Sequence, residues 1–234
     1  MHILRGLLQR AKRIYQTEGL ASLLRRALAW FKYCLFEHRT YLLVDHATEN
    51  IKQMDKADLM PKAEYCALKI VSNNREADKM ETQGFEFRSQ VNNARERLRK
   101  GAVAFVVFVG REFASIAWVA MSHEAAETLS EPPMHMDFTN SEALCGAVLT
   151  KPKYRRMRLN LYMGLHIREF LLDREIATMR GAIGINNAAS LKANDKFSPT
   201  IYAEGRYLRI LWWKSWKEKP LTPEGEEGEG NGPG

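Results

Sequence analysis

The stretch AVAFVVFVGREFASIAWVAMS, residues 102–122, constrains the fold most. Two apolar, β-branched-rich runs, 102–110 and 113–122, flank the short polar break GRE, and a pair of strands joined so tightly is a hairpin. Other segments arrange themselves around it. AEYCALKIVS (63–72) is a strand candidate, and VNNARERLRKG (91–101) is a charged helix with Gly101 as its C-terminal stop. ALCGAVL (143–149) is a further strand, 159–172 a helix, IATMRGAIGIN (176–186) a strand and NAASLKANDKF (187–197) a short helix. TIYAEGRYLRILWWKSW (200–216) reads as two strands turning at Glu204-Gly205. The order β, α, β, β, β, α, β, α, β, β predicts one mixed α+β domain.

The flanks differ from this body. Residues 1–40 carry eight Arg and Lys against two Glu. Ile3, Leu4, Leu7, Leu8, Ala11, Ile14 and Tyr15, then Leu20, Leu23, Leu24, Ala27, Leu28, Phe31 and Leu35, recur at helical spacing. The spacing predicts a basic amphipathic helical arm broken at EGL (18–20). Two placements fit it: against its own domain or a partner subunit, or on a membrane surface. Residues 218–234, EKPLTPEGEEGEGNGPG, are acidic and rich in Gly and Pro, the composition of a disordered tail. The expected organisation is therefore an arm over 1–40, a domain over 41–217 and a tail over 218–234.

Composition narrows the class. An apolar fraction of 45% and a charged fraction of 27% suit a packed globular domain. No apolar run is long enough to span a bilayer, and Arg5, Arg10, Lys12 and Arg13 break up any leader-like segment, so a cytoplasmic protein, or one peripheral at the inner membrane face, is expected. Cys34, Cys66 and Cys145 are widely spaced with no CxxC, which argues for a reducing compartment and against a zinc site. There is no GxxxxGK[ST] loop, no GxGxxG after a strand and no GxSxG elbow, and HEAAE (123–127) lacks a second metal-binding histidine. His123 and His135 read as surface residues. Few aromatics interleave with the cations of the arm, so no nucleic-acid partner is expected.

The chemistry concentrates in TKPKYRRMRLN, residues 150–160. Lys151, Lys153, Arg155, Arg156 and Arg158 are packed where a strand gives way to a helix. A helix N-terminus presents free backbone N–H groups and the positive end of its dipole, so it holds phosphates readily. Arginine adds forked donors to phosphate oxygens. Five cations at such a position, with no acid within the stretch, predict a cradle for a multiply charged anion.

That stretch resembles the acyl-coenzyme A-binding segment of the GCN5-related N-acetyltransferases, in which a strand ending near V-x-P-x-(Y)-R runs into Q/R-x-x-G-x-G/A. Pro152, Tyr154 and Arg155 match, and Arg155, Arg156, Met157, Arg158, Leu159 and Asn160 fill the six-residue motif. Asn187, Ala189, Ser190, Lys196 and Phe197 fit a second family helix, N-x-A-S…K-(L/F)-G. The strand–helix order over 63–216 is similar too, so the likeness covers about two thirds of the chain. It implies a mostly antiparallel central sheet flanked by helices, with a splayed strand pairing with the pantetheine of the cofactor. It implies acetyl-coenzyme A or another acyl-coenzyme A as co-substrate, no metal, and a small-molecule or protein amine as acceptor, attacked directly in a ternary complex. On the same likeness the cofactor contacts are Val148 and Leu149, whose backbone N–H groups would polarise the thioester carbonyl, with Lys153, Arg155, Arg156, Met157, Arg158, Leu159, Asn160, Asn187 and Ser190.

Glu142, thirteen residues before Arg155, stands where some members place the base that takes the amine proton, directly or through water. Two departures stand out. Arg158 and Asn160 replace the motif's glycines, which elsewhere let backbone approach phosphate, and Asn194 falls where many members have a tyrosine general acid. They leave room for a second expectation, a ligand-binding module of the same fold without turnover. The basic arm raises a third, an acyltransferase using an acidic acyl carrier protein at a membrane surface. Tyr202, Tyr207, Trp212, Trp213 and Trp216 are expected to pack the core and edge of the last strands, or else to line the acceptor side.

Overall fold

The computed structural model describes residues 36–129 and 132–221, with Ala21. The strands are β1 (Phe36–Ala47), β2 (Cys66–Val71), β3 (Val103–Val109), β4 (Glu112–Ala120), β5 (Glu142–Thr150), β6 (Thr178–Gly184), β7 (Thr200–Ile210) and β8 (Trp213–Pro220). The helices are α1 (Asn74–Thr82), α2 (Ala94–Arg99), α3 (His123–Ala126), α4 (Leu159–Leu172) and α5 (Ala188–Asp195). The strands form one sheet in the order β2-β3-β4-β5-β6-β1-β7-β8. The pairs β2–β3, β3–β4, β4–β5 and β1–β6 are antiparallel, and β5–β6 is parallel.

Among the described residues the chain divides into two compact units, 36–40 with 206–217, and 41–205 with 218–221. In the larger unit the unbroken apolar run of β3 has a direct cause, since the strand is covered on both faces. Ala104, Val106 and Phe108 join a core with Ala77 and Met80 of α1, Leu98 of α2 and Trp118 of β4. Val103, Phe105 and Val107 point the other way, against Leu159, Met163, Ile167 and Leu171 of α4. In the smaller unit Glu37 is buried against Arg209, whose Nη2 lies 2.8 Å from its Oε2, and Tyr207 is 1% exposed.

Several expectations need correction. Residues 36–40, assigned to the helical arm, begin β1; the rest of the arm, Ala21 apart, lies outside the described residues. Glu218–Pro220, given to the tail, complete β8, and 222–234 lie outside the described residues. No turn occurs at Glu204-Gly205. Ala203, Gly205 and Tyr207 are all buried, so the period-two alternation runs straight through, and the chain turns at Leu211, whose φ is 56°. Trp212 and Trp213 are 87% and 53% exposed and so are not core residues. The helix expected over 91–101 is only six residues, because Asn93 adopts a left-handed φ of 58° just before it.

Candidate active site

β5 is hydrogen-bonded to β6 only at its start, where Glu142, Ala143 and Leu144 pair with Thr178, Met179 and Arg180. Beyond that point β5 continues along β4 to Thr150 and β6 continues along β1 to Gly184, so the two central strands part in a V. Gly181 lies opposite the parting, and a Cβ there would sit 3.4 Å from the Cys145 carbonyl oxygen. β5 also carries a bulge. Trp118 pairs with Gly146 and Ile116 with Leu149, leaving Ala147 and Val148 opposite Ala117 alone, and Ala147 has a φ of 49°. Ala147 and Val148 thus lie outside the ladders on both sides, with Val148 51% and Leu149 43% exposed.

The V opens on adjoining cavities. One is walled by Cys145, Val148, Asn160, Gly164, Arg168, Ser190, Asn194 and Phe197, and forms a slot between β5, α4 and α5. The other runs along β6 from Met179 to Gly184 and includes Asn187. The described residues contain no group of acidic, cysteine and histidine side chains able to hold a metal.

At the mouth of the slot, Pro152–Tyr154 forms a single 3₁₀ turn and α4 starts at Leu159. Arg156 and Arg158 both adopt left-handed backbone, with φ of 66° and 60°. That conformation costs about 1–2 kcal/mol for a residue with a side chain. The loop therefore reaches a glycine-like shape at position 158 without glycine, and Arg158 caps α4 with no side-chain bond to its first N–H groups.

The five cations do not act alike. Glu112, from the hairpin turn, binds Lys153, lies 3.5 Å from the Lys151 ammonium and accepts the Tyr154 hydroxyl at 2.9 Å. These bonds, from Lys153 and then Tyr154, hold the Glu112 carboxyl below its ordinary range. Arg158 donates to the Asp58 carbonyl at 3.0 Å. The Arg155 and Arg156 guanidinium groups are exposed and make no ion pair among the described residues. So the stretch has an acid after all, supplied forty residues upstream, and two of its cations are left for a ligand. Met157 is partly buried against the core and Leu159 is 2% exposed, so each offers backbone only.

Asn160 faces the strands rather than the loop, its Oδ1 accepting from Thr150 at 2.8 Å and Ser115 at 3.3 Å. Asn187 caps α5 by accepting the Ser190 N–H at 3.1 Å. Asn194 is engaged at both ends, its Oδ1 meeting His46 Nε2 at 3.0 Å and its Nδ2 donating to the Ser190 carbonyl at 3.0 Å.

Glu142 belongs to a different cluster. Leu144 packs with the α1 and α2 side of the sheet and Cys145 with the α4 side, so strand alternation puts Glu142 on the side away from α4. Arg180, opposite Leu144, shares that side. Arg180 donates from Nε to Asp45 at 3.1 Å, lies 3.0 Å from Glu142 Oε1, and stacks 5.0 Å from the Tyr202 ring. The Asp137 N–H donates to Glu142 Oε2 at 2.7 Å, and Glu142 is 7% exposed. Burial pushes the Asp45 carboxyl above its ordinary range, against the opposing pull of Arg180. Burial likewise pushes the Tyr202 hydroxyl up to about 12.

Sequence reasoning missed Asp45, His46, Arg180, Arg168 and Glu112. The pair Asp45-His46 inside YLLVDHA was the available signal, since polar residues interrupting an apolar strand need partners.

A V between two central strands, a bulge on one of them and a cationic loop running into a helix define the class. The fold is that of the GCN5-related N-acetyltransferases. A structure described as a GCN5-related glucosamine N-acetyltransferase region of a fungal multi-domain GH3 β-N-acetylglucosaminidase aligns with a TM-score of 0.51 at 13% identity, covering 78% of this chain and 22% of that one. A GCN5-related N-acetyltransferase-like protein from Streptococcus suis 89/1591 aligns at 0.48 and 14% identity, covering 83% and 69%. A functionally unknown conserved protein from Staphylococcus epidermidis ATCC 12228 aligns at 0.46 and 10%, covering 80% and 65%. The chain therefore spans less than two thirds of the staphylococcal and fungal chains. Its sequence matches no protein-family model, and no curated protein is similar to it.

Proposed function

We propose that the chain is an acyl-coenzyme A-dependent N-acyltransferase. The observation that carries this reading is the continuity of the V, the bulge at Ala147–Val148 and the left-handed loop at the N-terminus of α4. The diphosphate of the donor binds the first-turn N–H groups of α4, with Arg155 and Arg156 on its outer oxygens. The pantetheine enters the slot between β5 and α4, and the backbone N–H of Val148, on the bulge, receives the thioester carbonyl, whereas Leu149, expected to share that role, is paired with Ile116 of β4. The acceptor, a small-molecule or protein amine, arrives from the opposite side, where Glu142, at the start of β5, takes through water the proton released as nitrogen attacks carbon. The carbon–nitrogen bond forms as the carbon–sulfur bond breaks, with the electron pair passing to sulfur.

Acetyl-coenzyme A is the first donor to test, by calorimetric titration and then by thiol release with a panel of primary amines. Saturable binding with amine-dependent release supports the reading, and absence of binding overturns it. Binding without release favours a ligand-binding module, which the fully engaged Asn194 side chain supports. A second check separates the cations. Replacing Arg155 and Arg156 together by alanine is expected to weaken coenzyme A binding by about 10- to 100-fold, since two charge-assisted bonds at an exposed site are lost. Arg158→Ala is expected to do less, because that side chain is tied to Asp58. Equal affinity in wild type and the double variant would remove the diphosphate from this loop.

Among the described residues no helix is long and apolar enough to cross a membrane. Contact with a membrane or an acyl carrier protein through residues 1–40 is a further proposal, which vesicle co-sedimentation and carrier-protein titration would test.

A further inference from the structure

Arg168 interrupts the buried surface of α4. It is 3% exposed, and its guanidinium lies 3.7 Å from the centre of the Phe197 ring. The side chain runs back along the helix, where Nη1 donates to the Gly164 carbonyl at 2.9 Å. Nη2 is buried with no hydrogen-bond partner. A Cβ on Gly164 would sit 2.8 Å from the Phe197 ring and 3.2 Å from Arg168 Nη1, so only glycine leaves the guanidinium its place. Both residues line the slot, with Cys145, Val148, Ser190 and Asn194.

A buried guanidinium with an unmet donor is costly unless something anionic completes it. The titratable groups facing it are Cys145 on β5 and His46 on β1. Burial pushes the Cys145 thiol up to about 11, against the pull of Arg168, so it stays neutral at neutral pH. Burial and then the neighbouring Arg168 charge push His46 down to about 4, so it is neutral too. Burial draws Arg168 itself down to about 10, which leaves it cationic at neutral pH. No carboxylate contacts it among the described residues. The counter-charge must come from a ligand in the slot.

We infer that Arg168 is a catalytic residue that receives the sulfur leaving in acyl transfer, its Nη2 donating to the thiolate end of the pantetheine arm. The inference rests on the proposed acyltransferase reading and extends it to the leaving group. The slot begins at the α4 N-terminus and reaches Arg168 nine residues on, about 14 Å along the helix axis. That is a path for an extended arm with its charged diphosphate at one end and its sulfur at the other. As the amine nitrogen bonds to the acyl carbon, the carbon–sulfur pair stays on sulfur. The nitrogen's proton goes through water to Glu142, Arg168 keeps all of its own, and water later protonates the free thiolate. A fixed cation in a dry site stabilises charge as it develops there. Asn194, at the position of the family's acid, has no proton to give.

The test uses the full chain and coenzyme A in its thiol form. The thiolate of bound coenzyme A is followed by ultraviolet absorbance against pH, with the protein plus desulfo-coenzyme A as the blank that subtracts its own cysteines. A cation within contact lowers the pKa of an acid by about 1–3, so bound coenzyme A is expected to show at least about tenfold more thiolate at pH 7 than free coenzyme A. Arg168→Met should abolish that excess, and Arg168→Lys should keep part of it. If wild type binds coenzyme A but its thiol titrates as in solution, the inference is overturned and the acyltransferase reading stands. Should wild type fail to bind coenzyme A in calorimetry, both fall. Arg168-dependent binding of succinyl-coenzyme A over acetyl-coenzyme A, with an unshifted thiol, would instead assign the guanidinium to an acyl-chain carboxylate and overturn the thiolate role. The comparison of bound with free thiol needs no variant, so it decides the matter even where Arg168→Met does not fold.

Discussion

Glu142→Gln is expected to slow acyl transfer by about 100- to 10,000-fold while leaving the Kd for coenzyme A within about twofold. The two effects separate because Glu142 points away from the α4 side of the sheet, where the donor slot lies. Glutamine keeps the carboxamide oxygen that can accept the Asp137 N–H, so the local backbone is held. What it loses is the capacity to take a proton. Removing one partner of a buried ion pair ordinarily costs about 3–5 kcal/mol. Here the loss is smaller, because Arg180 retains its bond to Asp45 at 3.1 Å. Thermal melts of the variant control for that loss, and kcat with saturating donor and amine is the deciding measurement. A kcat within threefold of wild type would take the base role from Glu142. Asp45 would then be next, since burial already makes its carboxylate a stronger proton acceptor than usual, and Asp45→Asn would be the variant to make.

Local chemistry made part of this architecture legible. The β3–β4 hairpin is written in two apolar runs around Gly110, which turns at a φ of 61°, and the span of α4 was visible as an apolar-periodic run following a cationic loop. β1 was not legible, because FEHRTYLLVDHA mixes charged and apolar residues; its buried positions make sense only once β6 lies beside it. α1 was missed for the opposite reason. NREADKMET is polar with only Ala77 and Met80 buried, although Asn73 capping the Glu76 N–H was a readable start.

The site divides along the same line. The phosphate-facing loop is contiguous, so its charge and position could be read directly. Its disposition could not, because Glu112, which occupies Lys151 and Lys153, is some forty residues away and reaches them only through the β4–β5 register. Asp45, Glu142 and Arg180 come from three strands, and nothing in sequence spacing brings them together before β5 and β6 pair in parallel. Contiguous motifs are readable from the chain, whereas constellations wait for the sheet.

Acid should expose His46 as the second strong lever on the protein. The residue is 1% exposed, and its Nε2 lies 3.0 Å from Asn194 Oδ1. Burial, and then the Arg168 cation, push its pKa from 6.5 down to about 4. The unfolded chain therefore binds a proton between pH 6.5 and about 4 that the folded chain refuses. Stability is complete above the unfolded value and falls as pH drops towards the folded one. Each pH unit across that window is worth about 1.4 kcal/mol, so lowering the pH from 7 to 4 is expected to cost about 3 kcal/mol through this residue alone. His46→Gln keeps a donor for Asn194 and removes the titration, so denaturant unfolding of that variant should lose about 3 kcal/mol less than wild type over the same range. Acid limbs of equal depth would mean that the folded protein accepts the proton freely, and that His46 is not held neutral beside Arg168. The consequence reaches the slot as well. His46 braces Asn194 on α5, and a second cation beside Arg168 would push that helix away from α4, so coenzyme A affinity should fall further in wild type than in His46→Gln only as the pH reaches about 4, where the folded protein takes up the His46 proton.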